Sequence, residues 1–270
     1  MSIFSSTDKK KQEVDWLDIH DLALVDVTKD LNTSLNMEPK LFNKFNPEEV
    51  ETMLEESSLL NAVQKRGYPD AKLHLDLLNE YDNRIYIRTK SDQILVHLRL
   101  KVSEFQLKGD EEKFPMVYID WLLTQNIKLN PKKLRKQLYF GQEYPGLGVL
   151  NELTEFIRLI CRRMGSAGAF NVPEYFHDAV LFSRKFRFID PEKEGMFRAL
   201  VHCFRRVNLR EISRKIHQGK ILFEDGTPYQ WRYGEMITCS DSYLEKKIFN
   251  ESYFRKSTEI RDKTQFIQSK

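Results

Sequence analysis

Long apolar segments and cysteine are both scarce in this chain of 270 residues. No run of ~18 apolar residues occurs, the length that a membrane-spanning helix needs, so the sequence predicts no membrane span. The first residues, Met1 to Glu13, lack the apolar segment of a signal peptide. The three cysteines, Cys161, Cys203 and Cys239, are far apart, which is typical of a reducing compartment rather than a disulfide framework. We therefore expect a cytoplasmic protein without a membrane partner.

The charge balance and the missing motifs exclude further classes of protein. A net charge of +3 is too close to zero to predict nucleic-acid binding by itself. The cysteines and histidines show no metal-ligand spacing, so we expect no metal cofactor. The chain has neither the Gly-x-Ser-x-Gly elbow of α/β-hydrolases nor a His-Glu-x-x-His zinc motif. Because 41% of the residues are hydrophobic, the chain can nevertheless bury a full core.

The first half of the chain predicts a helix and then a run of strands. We interpret residues 1–45 as an N-terminal extension, partly loose. An Asn cap at Asn46, an early proline and two acids predict a helix that continues to about residue 66. Alternating apolar and polar residues then predict an antiparallel meander at residues 72–78, 84–88 and 94–102. Residues 114–123 are mostly apolar and predict a central strand that is covered on both faces.

A turn with two glycines, Gly146 and Gly148, precedes the most regular helix of the sequence. Apolar residues recur at helical period from Val149 to Met164, and Gly165 follows as a C-terminal cap. A strand, a second helix and a second strand are predicted at residues 169–172, 174–185 and 186–189. Downstream, helices are predicted after the caps Asp190 and Asn208, and a strand at residues 229–237.

The order of loop, helix and strand from Gln142 to Phe188 resembles the acyl-CoA-binding half of the GCN5-related N-acetyltransferase (GNAT) superfamily. Its members follow a strand with a Q/R-x-x-G-x-G/A loop and a helix, then with a strand and a helix that reads roughly A-x-x-x-Y-x-x-x-G-F. Gln142 lies four residues before Gly146, where the pattern has three. Ser183 stands where the usual tyrosine acid falls, and Arg187 replaces the glycine of G-F.

The resemblance implies an α+β (mixed α/β) fold, with a central, mostly antiparallel sheet flanked by helices. Residues 46–238 would form an acyl-CoA-binding domain with a helical insert at 191–219, and residues 239–270 a polar C-terminal tail. Acetyl-CoA or another acyl-CoA would be the co-substrate, and the acceptor would be an amine of a small molecule or of a protein. The run from Tyr118 to Met236 is also similar to a domain appended to some bacterial histone-deacetylase-like proteins, which adds no chemistry.

The resemblance assigns the co-substrate to the glycine turn, because a helix N-terminus offers free N–H groups and a positive dipole end to a pyrophosphate. The end of the preceding strand would hold the pantetheine arm. The expected contacts are Leu122, Gln142, Gly146, Leu147, Gly148 and Val149. The alternative is an ordinary loop that contains glycines.

Three residues are candidates for proton transfer. Asp120 lies within an apolar strand, where a raised pKa would let its carboxylate deprotonate an ammonium group; alternatively it faces outward or pairs with an Arg. His177 begins the second helix and would be a base or proton relay, or simply a polar residue of a first turn. Ser183 would protonate the leaving thiolate in place of the tyrosine, or it is a surface serine.

Three functions remain open from the sequence. The first is an N-acyltransferase in which the amine attacks the thioester directly, and the second is a non-catalytic ligand-binding or protein-interaction domain on the same fold. The third is a nucleic-acid-associated protein, and we expect no such partner because charge runs are usually solvated faces. The third function rests on the basic helices, with Arg205, Arg206, Arg210 and Arg214. A separate basic run near the expected ligand mouth is a candidate phosphate clamp or a solvated face, and it contains Lys132, Lys133, Arg135 and Lys136.

Overall fold

The computed structural model describes residues 39–79, 82–130, 138–139 and 142–269. Most of the predicted N-terminal extension, residues 1–38, and the basic run from Lys132 to Lys136 lie outside the described residues. The elements within them are α1 (Pro47–Glu56), α2 (Leu59–Lys65), β1 (Lys72–Asn79), β2 (Asp82–Arg88), β3 (Ile94–Gln106), β4 (Lys113–Thr124), α3 (Leu150–Met164), β5 (Gly168–Asn171), α4 (Phe176–Phe182), β6 (Arg187–Phe188), α5 (Pro191–Cys203), α6 (Leu209–His217), β7 (Ile221–Phe223), β8 (Met236–Cys239), α7 (Ser242–Ile248), α8 (Glu251–Lys263) and β9 (Phe266–Gln268).

Seven strands form one sheet in the order β1-β2-β3-β4-β5-β8-β6, and β7 pairs with β9 in a small second sheet. The neighbours in the large sheet are antiparallel except for β4 and β5, which run parallel. The predicted class, a mixed α/β protein with a mostly antiparallel sheet and flanking helices, is therefore confirmed. The late strand β8 lies between β5 and β6, so β6 forms the edge of the sheet.

The meander β1 to β4 forms because its apolar residues alternate and share one face of the sheet. Ile85 and Ile87 on β2 are buried on this face, opposite Leu98 and Val96 on β3. On β4, Val117 joins the same core. The opposite face of these strands carries charged and aromatic side chains, among them Arg99 and Lys101, which pair with Asp120.

Helix α3 covers the apolar face with the stripe that the sequence predicts. Its residues Leu153, Phe156 and Ile160 are buried in the core, and Gly165 ends it in the left-handed conformation, with φ of +73°. The single helix predicted before β1 is divided into α1 and α2. The reason is local: Ser58 adopts a left-handed conformation, with φ of 60°, so the helix cannot continue through it.

The C-terminal segment described above as a polar tail contains α7, α8 and β9. Helix α8 packs closely on α5, where a Cβ on Gly195 would lie 2.5 Å from the carbonyl oxygen of Ser257. The Tyr253 hydroxyl also donates to the carbonyl oxygen of Phe188, at 2.5 Å. These helices bury only a narrow stripe, so their sequence looks polar. No helix in the described part of the chain is long and apolar enough to cross a membrane.

Candidate functional site

The parallel strands β4 and β5 part from one another at the centre of the sheet. Their ladder runs from the pair Met116–Gly168 to the pair Tyr118–Phe170. Strand β4 continues to Thr124, and among the described residues its remainder, 119–124, has no strand partner on that side. The N–H and C=O groups of an unpaired strand edge can bind another extended molecule. The opening between the strands is therefore a candidate ligand cleft.

A β-bulge lies at the mouth of this opening. Ile119 pairs with Leu100 and Trp121 pairs with Arg99, so Asp120 is the extra residue of β4. The Asp120 carboxylate lies 3.2 Å from Arg99 Nε and 3.0 Å from Lys101 Nζ. These two ion pairs favour the alternative in which Asp120 pairs with basic side chains, rather than its predicted role as a base.

The glycine turn closes the far end of β4. Gly148 has φ of +69°, a conformation that glycine adopts without strain, and its carbonyl oxygen accepts a hydrogen bond of 3.0 Å from Arg66 Nη2. The flanking side chains of Leu147 and Val149 are buried, whereas Gly146 and Gly148 are exposed. The turn is thus fixed by its apolar residues and presents its glycine backbone to solvent.

The N-terminus of α3 follows directly and has no side-chain cap. Val149 occupies the cap position without a side-chain hydrogen bond, so the first N–H groups of the helix receive no bond from the cap residue's side chain. Lys128, in the loop after β4, reaches the loop before β1: its Nζ donates to the carbonyl oxygen of Gly67 and lies 4.9 Å from the Tyr68 ring centroid. Arg66 thus contacts the glycine turn beside this helix end, and its neighbour Gly67 lines, together with Lys128, a cavity of about 460 Å³.

Two of the predicted co-substrate contacts have other partners. The side chain of Leu122 packs against the core, so only its backbone is left for the opening. Gln142 is half-buried, and its backbone N–H donates to the carbonyl oxygen of Tyr139 at 3.2 Å. Of the predicted co-substrate contacts, the four residues Gly146 to Val149 lie at the end of β4. Gln142 lies in the loop that precedes them.

His177 lies in a buried aromatic cluster at the start of α4. Its ring stacks on Tyr139 at 4.2 Å, and Nδ1 lies 2.9 Å from Ser213 Oγ. Burial lowers the pKa of His177 to about 4, and it raises the pKa of the adjacent Asp178 to about 6. The imidazole is therefore neutral near pH 7 and is a weak base.

Ser183 is exposed at the C-terminal end of α4, where its hydroxyl donates to the carbonyl oxygen of Val180 at 2.8 Å. This local bond matches the surface-serine alternative. A different hydroxyl lies at the opening itself: Tyr118 belongs to the last pair of the parallel ladder and stacks on Phe170 at 4.8 Å. Burial, Asp120 and Glu235 raise its pKa, so this phenol keeps its proton at neutral pH.

The sequence did not predict Arg66, Lys128 or Tyr118 as site residues. Arg66 and Gly148 are separated by 82 positions, and no local pattern marks such a contact. Tyr118 could have been noticed, because it alternates with Asp120 on the same strand. In the part of the chain that the structure describes, no three His, Cys, Asp or Glu side chains converge as a metal site. In comparisons with known proteins, no family model matches this chain and no curated protein matches its sequence.

Proposed function

We propose that the protein is an acyl-CoA-dependent N-acyltransferase that transfers an acyl group from the thioester directly to an amine. The observation that carries this proposal is the parting of β4 and β5 in front of the uncapped N-terminus of α3. Coenzyme A matches both features in one molecule, because it joins a pyrophosphate to an arm with two amide groups. The acceptor amine belongs to a small molecule or a protein.

The pyrophosphate would bind at the corner made by the glycine turn and α3. Backbone N–H groups and the helix dipole favour an anion there. Arg66, which contacts the Gly148 carbonyl oxygen, and Lys128, which contacts that of Gly67, would add charge-assisted hydrogen bonds to the phosphates, and these are stronger than neutral ones. The cavity beside Lys128 and Tyr68 gives room for the nucleotide end. The pantetheine amides would pair with the free edge of β4 at residues 119–124.

The reaction would then depend mainly on positioning. The amine nitrogen attacks the thioester carbon, the C–S bond breaks and the thiolate takes up a proton. Tyr118 is the proton donor at the opening, because its phenol is protonated and lies where the strands part. Glu235 acts on the same phenol electrostatically and is the available carboxylate for the proton of the amine, since Asp120 is held by Arg99 and Lys101. The bulge at Asp120 lies in the β3–β4 ladder, and on the other side of β4 a backbone N–H of the unpaired residues 119–124 would polarise the thioester carbonyl.

The decisive experiment is calorimetric titration of the purified protein with acetyl-, succinyl- and long-chain acyl-CoA. Replacing Arg66 by methionine should weaken binding by at least about tenfold, because a hydrogen bond to a charged group contributes ~1.5–3 kcal/mol. Arg162→Met is the matched control: it removes a guanidinium from the opposite end of α3, where Arg162 pairs with Glu155 at 3.0 Å. No binding of any acyl-CoA at about 1 mM would end the proposal.

A non-catalytic ligand-binding or protein-interaction domain is the second candidate. The geometry of Ser183 and Asp120 favours it, because both side chains are engaged in bonds of their own. Release of free CoA thiol with a panel of primary amines separates the two functions. Tight acyl-CoA binding without thiol release, in wild type and in Tyr118→Phe alike, would select the binding domain.

A further inference from the structure

A second pocket lies where the edge of the sheet meets α7 and the start of α8. It has a volume of about 280 Å³, and its floor is the ladder of β6 and β8. Three cationic side chains line it, each from a different element: Lys185 precedes β6, Arg187 lies on β6 and Lys246 lies on α7. The positive side chains of elements that are far apart in the sequence therefore lie together on one concave surface.

Arg187 contacts aromatic rings rather than an acid. Its guanidinium carbon lies 5.9 Å from the ring centroid of Phe249 and 5.3 Å from that of Phe254. Among the described residues Arg187 has no ion pair with a carboxylate and no hydrogen bond from its guanidinium. Cation–π contacts of this kind leave the N–H groups of a guanidinium free, and those groups are the part that matches an oxyanion.

The charge of the pocket is also uncompensated. Glu245 is the acid among the lining residues, against the three cations, so the lining carries a net charge of +2. The Cys239 thiol lines the same pocket and keeps its proton, because burial together with Glu245 and Asp241 raises its pKa to about 12. The free cations, and not a nucleophile, thus define the chemistry of this surface.

We propose that this pocket is a binding site for a small phosphate monoester, held by the guanidinium edge of Arg187 and by Lys185 and Lys246. A phosphate monoester carries close to two negative charges at pH 7, which balances the lining, whereas a monocarboxylate leaves half of the charge unbalanced. The fork of the guanidinium binds two phosphate oxygens at once, and the lysines act as flexible point charges. The phenyl rings of Phe249 and Phe254 give the organic part of the ligand an apolar wall.

Calorimetric titrations with O-phospho-L-serine and with inorganic phosphate test this site, with acetate as the monoanion and the ionic strength held constant. Arg187→Met should weaken binding of phosphoserine by at least about tenfold, and Lys246→Met by about threefold. Arg187→Lys keeps the charge but loses the fork, so its affinity should fall between those of wild type and Arg187→Met. Lys263→Met is the matched control, because Lys263 lies at the far end of α8 and pairs with Glu259.

Two results would overturn the inference. One is the absence of saturable binding of both phosphate ligands up to about 10 mM. The other is an unchanged affinity in Arg187→Met, or in the double variant Lys185→Met/Lys246→Met if Arg187→Met does not fold. The titrations contain no acyl-CoA, and Arg187→Met should bind acyl-CoA like wild type. Failure of this site and failure of the proposed acyl-CoA site are therefore observed separately.

Discussion

Replacing Gly148 by alanine should weaken both the glycine turn and the phosphate corner beside it. With φ of +69°, the turn would hold an alanine in the left-handed region, which costs ~1–2 kcal/mol. The new Cβ would also lie 3.0 Å from Arg66 Nη1, so the guanidinium must shift by a few tenths of an ångström, which disturbs its bond to the Gly148 carbonyl oxygen. We expect the unfolding free energy to fall by ~1–2 kcal/mol and Tm by roughly 2–8 °C for a chain of this size.

The same substitution should weaken acyl-CoA binding by at least about tenfold, ~1.4 kcal/mol, because Arg66 is displaced and the backbone of the turn is shielded. Calorimetric titration measures the affinity, and chemical denaturation measures the stability. Gly109→Ala separates the two effects: Gly109 has φ of +83° in the β3–β4 turn, and a Cβ there meets nothing within 4 Å. It should lose similar stability and bind acyl-CoA normally. A folded Gly148→Ala variant with wild-type affinity would refute the assignment of the pyrophosphate to this turn.

Two further predictions concern the charged and buried groups near the opening. Asp120→Asn should lower the unfolding free energy by ~1–2 kcal/mol, because Arg99 and Lys101 lose a partner. The variant should retain turnover. If turnover is lost while stability is unchanged, Asp120 is the base after all. Because the pKa of His177 falls from 6.5 to about 4 on folding, its stabilising contribution is complete above pH 6.5 and is lost as the pH falls toward 4. The raised pKa of Asp178 opposes this loss, because the folded protein takes up a proton there as the pH falls. Denaturation at a series of pH values should therefore show that Asp178→Asn loses more stability than wild type between pH 6.5 and 4. Equal losses would contradict the pKa shifts of His177 and Asp178.

The sequence was sufficient for features that neighbouring residues decide. Alternation located the strands of the meander, since side chains of a strand point to opposite faces in turn. Capping located helix starts: the Asn46 side chain accepts from the Glu49 N–H at 2.8 Å, and Asp190 and Asn208 each accept from the N–H two residues on, at 2.9 Å. The polar helices α7 and α8 escaped prediction, because their buried stripes are narrow and the apolar period is weak.

Only part of the candidate site could be predicted from the sequence, because its other residues come together from distant positions. Gly146 and Gly148 stand out as a turn before a regular helix, and their role as a turn is local chemistry. The cation that contacts the turn comes from Arg66, which no spacing rule connects to Gly148. Asp120 looks like a lone acid in an apolar run, and its partners Arg99 and Lys101 appear only when β3 is paired with β4 in register.

The strand alternation, the helix caps and the apolar helix stripes could be predicted from the sequence, because each depends on residues a few positions apart. Tertiary structure alone decided that β4 and β5 are parallel and part after Tyr118, that β8 inserts between β5 and β6, and that Arg187 meets the rings of α7 and α8. These outcomes depend on strand order and on how distant surfaces pack, and many arrangements share the same local patterns. The elements of this protein are therefore local consequences of its sequence, whereas both of its candidate binding sites are consequences of assembly.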